Sequence, residues 1–308
     1  MAKKKTPSTA QVRRRVREVA HDKLGIEKLR PGQADAVEAL LAGHDVLSVM
    51  PTGWGKSAIY QIAGAQLPGP TIIVCPLLAL QRDQVDSIEQ TEIGTVALLN
   101  SQLSTTEYRD VLRDFASGET DFLFLAPEQL QNAEVLQNLG VAKPSLFVVD
   151  EAHCIASWGH DFRPDYLRLG NAVEQLSRPR VLALTATASP PVQREIVEQL
   201  QLHKPKILVQ GFNRPNIFLE VRRFESEEAK REALMDDVVG APKPGIVYTA
   251  TRKASEELAM ELSARGVRAA PYHAGMKRPE REATQSRFMH DEIEVVVATT
   301  AFGMGIDK

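Results

Sequence analysis

The sequence predicts an α/β protein that contains two parallel β-sheets, and three features of the chain indicate this class. Short apolar segments of strand length alternate with longer amphipathic segments along most of the chain. The apolar segments are continuous runs rich in valine, isoleucine, leucine and phenylalanine, which is typical of strands buried on both faces of a parallel sheet. The alternation begins again after GFNRPN at residues 211–216, so we expect a domain boundary there.

The expected strands follow one another in a regular order. Those of the first sheet are DVLSVM, TIIVCP, TVALL, DFLFLA, LFVVD and VLALTA, and those of the second are IFLEV, GIVYTA, RAAPYHA and EVVVATT. The segments between them, such as PPVQREIVEQL with proline at its start, have the apolar spacing of helices. Strands joined through helices imply right-handed crossovers and parallel pairing within each sheet.

The first strand is followed at once by PTGWGKS, which has the composition of a phosphate-binding loop. Gly53 and Gly55 allow the backbone to wrap so that its N–H groups point at phosphate oxygens. Lys56 would reach the β- and γ-phosphates, and the Ser57 hydroxyl would complete a Mg²⁺ shell. The strict pattern has glycine where Met50 stands, so the motif is a relaxed one. The strand before it and an acidic pair on a later strand make the combination specific.

Trp54 occupies the variable position of this loop. A bulky aromatic ring between two glycines has two interpretations. It is a packing residue on the wall of the nucleotide site, which we favour, or a feature particular to this site.

An acidic pair follows the apolar strand at residues 146–149. Asp150 and Glu151 stand at the carboxyl end of that strand, where open α/β sheets bind their ligands. One carboxylate of such a pair holds Mg²⁺ through water, and the other orients and deprotonates an attacking water. His153 is either a satisfied core histidine or, as we favour, a link between the γ-phosphate and the later ALTATA segment at residues 183–188.

Aromatic residues interleaved with a cation come soon after the acidic pair. They are Trp158, His160, Phe162, Arg163 and Tyr166. This composition suits base stacking and phosphate contact. The alternative is an ordinary aromatic satellite core behind a buried strand.

Other polar residues at expected strand ends also have two interpretations. Asn100 and Ser101 either meet a phosphate or start the next helix, and the sequence favours neither. Arg252 either contacts a phosphate or faces solvent, and its position after a strand favours the contact.

Composition excludes several classes of protein. The 308 residues are 43% apolar and 25% charged, as in a soluble globular chain with room for two cores. No apolar run reaches membrane-spanning length, and the N-terminus lacks the apolar region of a secretory signal. Cys75 and Cys154 make neither a disulfide framework nor a zinc site, so a reducing cytoplasm is the expected compartment.

The net charge of −3 requires that any contact with nucleic acid come from a local basic track. The first 17 residues carry a basic excess. This excess indicates either an arm that touches phosphates or, as we favour, a solvated tail.

Together these motifs resemble the RecQ family of superfamily two DNA helicases, and the resemblance covers residues 24–308. LRPGQADAV is similar to motif 0, MPTGWGKS to motif I, VCPLLALQRDQV to motif Ia, FLFLAPEQL and DEAH to the next two, and ALTATA to motif III. CIASWGHDFRPDY resembles the aromatic-rich loop of the family. GFNRPNI, GIVYTATRK, PYHAGM and VVVATTAFGMGIDK resemble the entry and motifs IV to V of the second motor domain.

The resemblance implies two RecA-like motor domains, an ATP-binding domain at residues 24–210 and an incomplete one at residues 211–308, after a basic N-terminal arm at residues 1–23. It implies a monomeric, nucleoid-associated 3′ to 5′ helicase of DNA repair and recombination that uses ATP and Mg²⁺ and binds single-stranded and duplex DNA. It implies no membrane and no structural zinc in this chain. The alternatives from other classes are a nucleic-acid-binding module gated by ATP with little hydrolysis, and an RNA helicase.

The resemblance also assigns residues. Those implied in catalysis are Lys56, Asp150, Glu151 and His153, with Ser57 and Asp150 on Mg²⁺. Those implied in nucleotide binding are Arg30, Gln33, Thr52, Gly53, Trp54, Gly55, Lys56, Ser57 and Asp307. Those implied in DNA binding and coupling are Trp158, His160, Phe162, Arg163, Thr185, Thr187, Arg252, Thr299, Thr300 and Gly303.

Two positions depart from the family pattern. Ile26 stands where the family usually places an aromatic on adenine, so apolar contact and the Arg30 and Gln33 hydrogen bonds would hold the base. The chain ends at Lys308, before the arginine finger of motif VI, a group worth roughly 10³–10⁵ in rate. We therefore expect a fragment that binds ATP better than it hydrolyses it; the alternative is a natural short relative that works without motif VI.

Overall fold

The computed structural model describes residues 8–76, 78–100, 102–156, 163–211, 216–303 and 308. The chain divides into two compact units, Met1–Asn213 and Arg214–Lys308. This division lies beside the boundary expected at residue 211.

The first unit is built on a parallel sheet of seven strands in the described part of the chain, in the order β3-β4-β2-β5-β6-β1-β7. The strands are β1 (Val46–Val49), β2 (Thr71–Val74), β3 (Val96–Leu99), β4 (Phe122–Leu125), β5 (Leu146–Val149), β6 (Arg180–Thr185) and β7 (Lys206–Val209). β1 to β6 lie within the apolar segments from which strands were expected. The sequence analysis did not include β7, which is the exposed edge strand beside β1.

The two faces of this sheet bury different side chains of the same strand. In β5, Leu146 and Val148 belong to one apolar cluster, while Phe147 and Val149 belong to another on the opposite face. All four residues are fully buried. Because both faces are covered, the strand reads as a continuous apolar run without alternation.

Helices cover these faces. They are α1 (Thr9–Leu24), α2 (Gln33–Leu41), α3 (Ser57–Gly64), α4 (Leu78–Glu89), α5 (Thr105–Ser117), α6 (Ala133–Val141), α7 (Leu169–Gln175) and α8 (Pro190–Gln199), with 3₁₀ segments at Pro127–Gln131, Ala152–Ile155 and Pro164–Arg168. Local signals fix their ends: in α5, Ser104 and Glu107 form a reciprocal capping box, and Gly118 ends the helix in the left-handed conformation.

The structure differs from the expected basic arm at residues 1–23. Ser8 caps α1, and the helix buries Val16 and Ala20 in the apolar cluster beneath α2 and α3. Arg13 on its outer face pairs with Asp35 and Glu38. The sequence analysis counted the basic residues but overlooked the apolar stripe between them, which makes this segment part of the first unit.

The second unit contains a parallel sheet of three described strands in the order β8-β10-β9. The strands are β8 (Gly245–Tyr248), β9 (Ala269–Tyr272) and β10 (Val295–Ala298), and the helices are α9 (Glu227–Gly240), α10 (Arg252–Ala264) and α11 (Arg278–Met289). These strands confirm three of the four expected here.

The strand expected at IFLEV is wrong. Residues 217–221 have no regular secondary structure, and Phe218, Leu219 and Val221 are 85%, 85% and 93% exposed. A strand forms only where a neighbouring strand takes its backbone hydrogen bonds, and no described strand pairs with this segment. None of the described helices is long and apolar enough to cross a membrane.

Candidate nucleotide site

The predicted phosphate loop, acidic pair and threonine segment meet at one edge of the first sheet. β6 lies between β1 and β5, and all three strands run in the same direction. Val49 is in register with Thr185, and Met50 N–H donates to the Thr185 carbonyl at 3.0 Å. Adjacent parallel strands therefore bring three segments that are distant in sequence to one carboxyl edge, where such sheets bind ligands.

The loop after β1 has the backbone of a phosphate cradle. Gly53 and Gly55 have φ of 72° and 74°, in the left-handed region that favours glycine. Helix α3 begins at Ser57, directly after Lys56. The loop therefore ends on a helix N-terminus, where the helix dipole favours an anion. The Lys56 ammonium donates to the Met50 carbonyl at 3.3 Å, so it already lies across the loop.

The turn before α2 holds this loop from one side. Gln33 is buried, and its Nε2 donates to the Trp54 carbonyl at 3.0 Å and the Gly55 carbonyl at 2.7 Å. Its Oε1 accepts from Arg30 N–H at 2.7 Å, and the Arg30 guanidinium donates to the Gly53 carbonyl. The two residues expected at adenine thus bind the backbone of the phosphate loop here, and their contact with a base stays a prediction.

Asp150 lies directly after β5 in a partly buried position. Burial first, and then the charge of Glu151, raise the pKa of Asp150 to about 7. Glu151 N–H donates to Asp150 Oδ1 at 3.0 Å, and the Tyr166 hydroxyl donates to the Asp150 carbonyl at 3.0 Å. Its backbone and one carboxylate oxygen are therefore fixed.

Glu151 and His153 form a charged pair beside it. Burial raises the pKa of Glu151, but the stronger combined effect of the hydrogen bond and charge of His153, with that of Lys56, lowers it overall. Contacts with the Cys154 sulfur and the Glu151 carboxylate raise the pKa of His153 to about 10. His153 Nδ1 lies 3.3 Å from Glu151 Oε2 and 2.9 Å from Thr185 Oγ1. A protonated imidazole therefore bridges the acidic pair and the end of β6.

The threonine segment continues this series of hydrogen bonds. The Thr185 hydroxyl donates to the Thr187 carbonyl at 3.0 Å and accepts from Thr187 N–H at 3.2 Å. Thr185 is fully buried. The polar series runs from Glu151 through His153 and Thr185 to Thr187, across two neighbouring strand ends.

The oxygen donors at this edge fit Mg²⁺. The Ser57 hydroxyl and the Asp150 carboxylate are hard oxygen groups, and Mg²⁺ typically takes one or two protein ligands together with phosphate and water. Among the described residues, no group of three or more His, Cys, Asp or Glu side chains is placed to hold a metal. The donor set thus suits a metal that arrives with phosphates.

The predicted aromatic loop is described at its C-terminal end. Trp158, His160 and Phe162 lie outside the described residues. Arg163 N–H donates to the Cys154 carbonyl at 2.9 Å, and its guanidinium donates to the Pro76 carbonyl at 2.8 Å. This end of the loop is therefore tied to two strand ends of the sheet.

The expectation for Tyr166 is wrong, because the sequence analysis grouped this residue with aromatics that stack on bases. Its side chain is fully buried, so it offers no surface to a base. Its hydroxyl instead supports the Asp150 backbone at 3.0 Å. The sequence signal was weak, since a tyrosine after Arg-Pro-Asp fits a surface loop equally well.

Asn100 does not start the next helix, which Ser104 caps, and its contact with a phosphate stays a prediction. It is 3% exposed, and its Oδ1 accepts from Gln102 N–H at 2.8 Å, which forms the turn after β3. Ser101 lies outside the described residues.

The second unit places its own candidate residues at the carboxyl edge of its sheet. Arg252 opens α10 after β8, and Thr299 N–H donates to the Tyr272 carbonyl at 3.1 Å. Thr300 is exposed, and Gly303 has a φ of 121°, which favours glycine. Asp307 lies outside the described residues.

The fold and the site define an α/β protein with two parallel-sheet units and a phosphate-loop motif at the carboxyl edge of the first sheet. The model of the DEAD/DEAH box helicases matches residues 30–196, and that of the helicase conserved C-terminal domain matches residues 229–308. The chain belongs to the DEAD/DEAH box helicase family.

Sequence relatives indicate to which group within this family the chain is similar. The chain is 41% identical over 285 residues to the probable ATP-dependent DNA helicase RecS of Bacillus subtilis (strain 168), with 92% of this chain and 57% of the relative covered. It is 39% identical over 288 residues to the ATP-dependent DNA helicase RecQ of the same organism, with 92% and 48% covered. The chain spans about half the length of these curated relatives. The resemblance to RecQ helicases is confirmed.

Solved structures agree on the fold. The Mycobacterium smegmatis helicase Lhr bound to ssDNA and AMP-PNP matches with a TM-score of 0.68 at 21% identity, over 96% of this chain and 42% of that one. The DUF1998 helicase MrfA bound to DNA matches with a TM-score of 0.73 at 20% identity, over 95% and 45%. The predicted α/β class with two RecA-like domains is confirmed.

Proposed function

We propose that this chain is the motor core of a RecQ-type, ATP-dependent DNA helicase that moves 3′ to 5′ on single-stranded DNA and so unwinds duplexes, in repair and recombination. The observation that carries the proposal is the polar series from Glu151 through His153 to Thr185, at the same sheet edge as the phosphate loop. This series offers a physical route between a nucleotide site and a second strand end. Relatives named DNA helicases support DNA over RNA.

Each residue of the site has a definite task in this proposal. The loop N–H groups and Lys56 bind the phosphates, and Ser57 and Asp150 hold Mg²⁺. Mg²⁺ would supply charge neutralisation on the phosphate oxygens. Glu151 orients the attacking water and accepts its proton, since its lowered pKa keeps it ionised at neutral pH. The hydrogen bonds of His153 and Thr185 transmit changes at the nucleotide site to Thr187.

The binding of DNA is assigned to two groups of residues. In the first unit these are Trp158, His160, Phe162 and Arg163, which combine stacking surfaces with a cation. In the second unit Arg252, Thr299, Thr300 and Gly303 would meet the backbone of the strand, and Asp307 would lie near the nucleotide. A motor follows if ATP hydrolysis changes the affinity of these surfaces for DNA.

Steady-state ATPase and strand-separation assays test this proposal. We expect hydrolysis that single-stranded DNA stimulates, that RNA of the same sequence stimulates much less, and that Lys56→Ala abolishes. Binding of ATP and DNA with no turnover would overturn the helicase proposal in favour of a nucleic-acid-binding module gated by ATP.

A further inference from the structure

Trp54 is a large aromatic side chain inside the phosphate loop, and the site described above gives it no task. Its indole Nε1 donates to the Pro31 carbonyl at 3.2 Å. The Arg30 guanidinium carbon lies 5.8 Å from the centroid of its ring. The side chain is half-buried, so part of the ring stays accessible beside the turn of residues 30–33. The indole therefore lies on the side of the loop that faces Arg30 and Gln33.

Gln33 and Ile26, which lie on the same side of the loop as the indole, do not offer a stacking surface of their own. Both Nε2 hydrogens of Gln33 are used on loop carbonyls, and its Oε1 accepts from Arg30 N–H. Ile26 belongs to the same apolar cluster as Trp54, but it has no π-face. The Arg30 guanidinium already lies over the Trp54 ring in a cation–π contact, so a flat ligand next to the loop would stack on the part of the indole that stays accessible.

We propose that the accessible part of the Trp54 indole is the stacking surface for the purine base of the bound nucleotide. This inference rests on the proposed function, because it requires the phosphates to bind at residues 53–57. The hydrogen bond to Pro31 fixes the orientation of the ring in advance. A ring that is already oriented loses little conformational freedom when the base binds.

The competing explanation is that Trp54 holds the loop in shape. Its packing, its Nε1 hydrogen bond and the Gln33 bond to its carbonyl all stabilise residues 53–55. The two explanations differ in the ligand that they affect. Stacking acts on the base alone, whereas the shape of the loop acts on every ligand that carries phosphates.

The test compares ATP with inorganic tripolyphosphate, each with Mg²⁺, by calorimetry on the full chain and on Trp54→Leu and Trp54→Phe. We expect Trp54→Leu to weaken ATP binding about tenfold, in line with the loss of one base–aromatic stack. Tripolyphosphate binding should stay unchanged. Trp54→Phe should restore most of the ATP affinity, since it keeps an aromatic face, although a smaller one that lacks the indole N–H. The advantage of ATP over CTP should shrink in Trp54→Leu.

Tryptophan fluorescence gives an independent readout, because Trp54 and Trp158 are the two tryptophans of the chain. ATP should quench the emission of the unmodified chain more than tripolyphosphate does, and this difference should vanish in Trp54→Leu. Equal weakening of ATP and tripolyphosphate in Trp54→Leu would overturn the stacking proposal and leave a structural role. Unchanged affinity for both would overturn it too. If the unmodified chain binds neither ligand, the phosphate-loop function itself fails.

Discussion

Glu151, His153 and Thr185 form a connected polar group at the carboxyl edge of the first sheet. Glu151 is kept ionised by His153, and the two groups share one ion pair with Nδ1 at 3.3 Å from Oε2. The same Nδ1 lies 2.9 Å from the Thr185 hydroxyl. Because the imidazole contacts both Glu151 and Thr185, a movement of Glu151 would change the hydrogen bond at Thr185. These residues should act as a unit.

Removal of the His153 imidazole or of the Thr185 hydroxyl should reduce the stimulation of ATP hydrolysis by DNA. For His153→Ala and Thr185→Val we expect a loss of about tenfold each in DNA-stimulated kcat, the size of one hydrogen bond to a charged group, with ATP affinity retained. The double variant should be little worse than either single one, since the two remove the same link. Strictly additive losses in the double-mutant cycle would contradict the bridge.

The Tyr166 hydroxyl should matter for activity beyond its effect on stability. Tyr166→Phe removes the donor to the Asp150 carbonyl and leaves that oxygen unsatisfied, which costs about 1 kcal/mol of folding free energy. Tyr108→Phe is the matched control. The Tyr108 hydroxyl donates a hydrogen bond of 2.8 Å to Gln129, and neither residue belongs to the site. Both variants should unfold at similarly lower urea concentration. Only Tyr166→Phe should lower ATP turnover, and equal turnover in the two variants would refute the positioning role.

At the scale of the element, one carboxylate fixes the amino ends of three strands. Asp45, just before β1, accepts from Val181 N–H in β6 at 2.8 Å and from His203 N–H, just before β7, at 2.7 Å. It also pairs with the Arg178 guanidinium at 2.7 Å. Asp45 is 5% exposed, so these bonds are shielded from water. They set the order β6-β1-β7 at the end of the sheet opposite the site.

Asp45→Asn should destabilise the first unit by about 2–4 kcal/mol, because the amide NH₂ faces donors and Arg178 loses one of its two carboxylate partners. Asp35→Asn is the control: its pair with Arg13 is half exposed and worth at most about 1 kcal/mol. Urea unfolding of both variants measures the difference. A loss at Asp45 no larger than that at Asp35 would show that the carboxylate does not fix the strand ends.

At the scale of the whole molecule, the two units differ in how completely they cover their apolar residues. The first unit buries both faces of its sheet. The second leaves Phe218, Leu219 and Val221 almost fully exposed in one continuous segment. Exposed apolar patches of this kind promote association. The candidate nucleotide site described above lies at the edge of the first sheet, so association through this segment and nucleotide binding should be separable.

Replacement of Phe218 and Leu219 by serine should lower self-association, measured by light scattering at rising protein concentration, and leave ATP affinity unchanged. Val141→Ser in the first unit is the control, because Val141 is 62% exposed but lies outside this segment. We expect no change in scattering for the control. Unaltered scattering for the double serine variant would mean that residues 218–219 do not drive association.

Local patterns in the sequence were sufficient for six of the seven described strands of the first sheet and for the phosphate loop. Continuous apolar runs predict doubly buried strands, and glycines before Lys56 predict a left-handed loop, because each signal depends on neighbours in sequence. The segment at residues 217–221 shows the limit. Its composition favours a strand, but a strand also requires a partner, which composition does not supply.

The sequence by itself determined the class of fold, the phosphate loop and the acidic pair at the end of β5. Only the tertiary structure showed that Gln33 binds the loop backbone, that Thr185 meets His153, and that Tyr166 supports Asp150. These partners are up to 32 positions apart in the chain. Hydrogen bonds are made at about 3 Å, and residues so distant in sequence reach that distance only after parallel strands align their carboxyl ends at one edge.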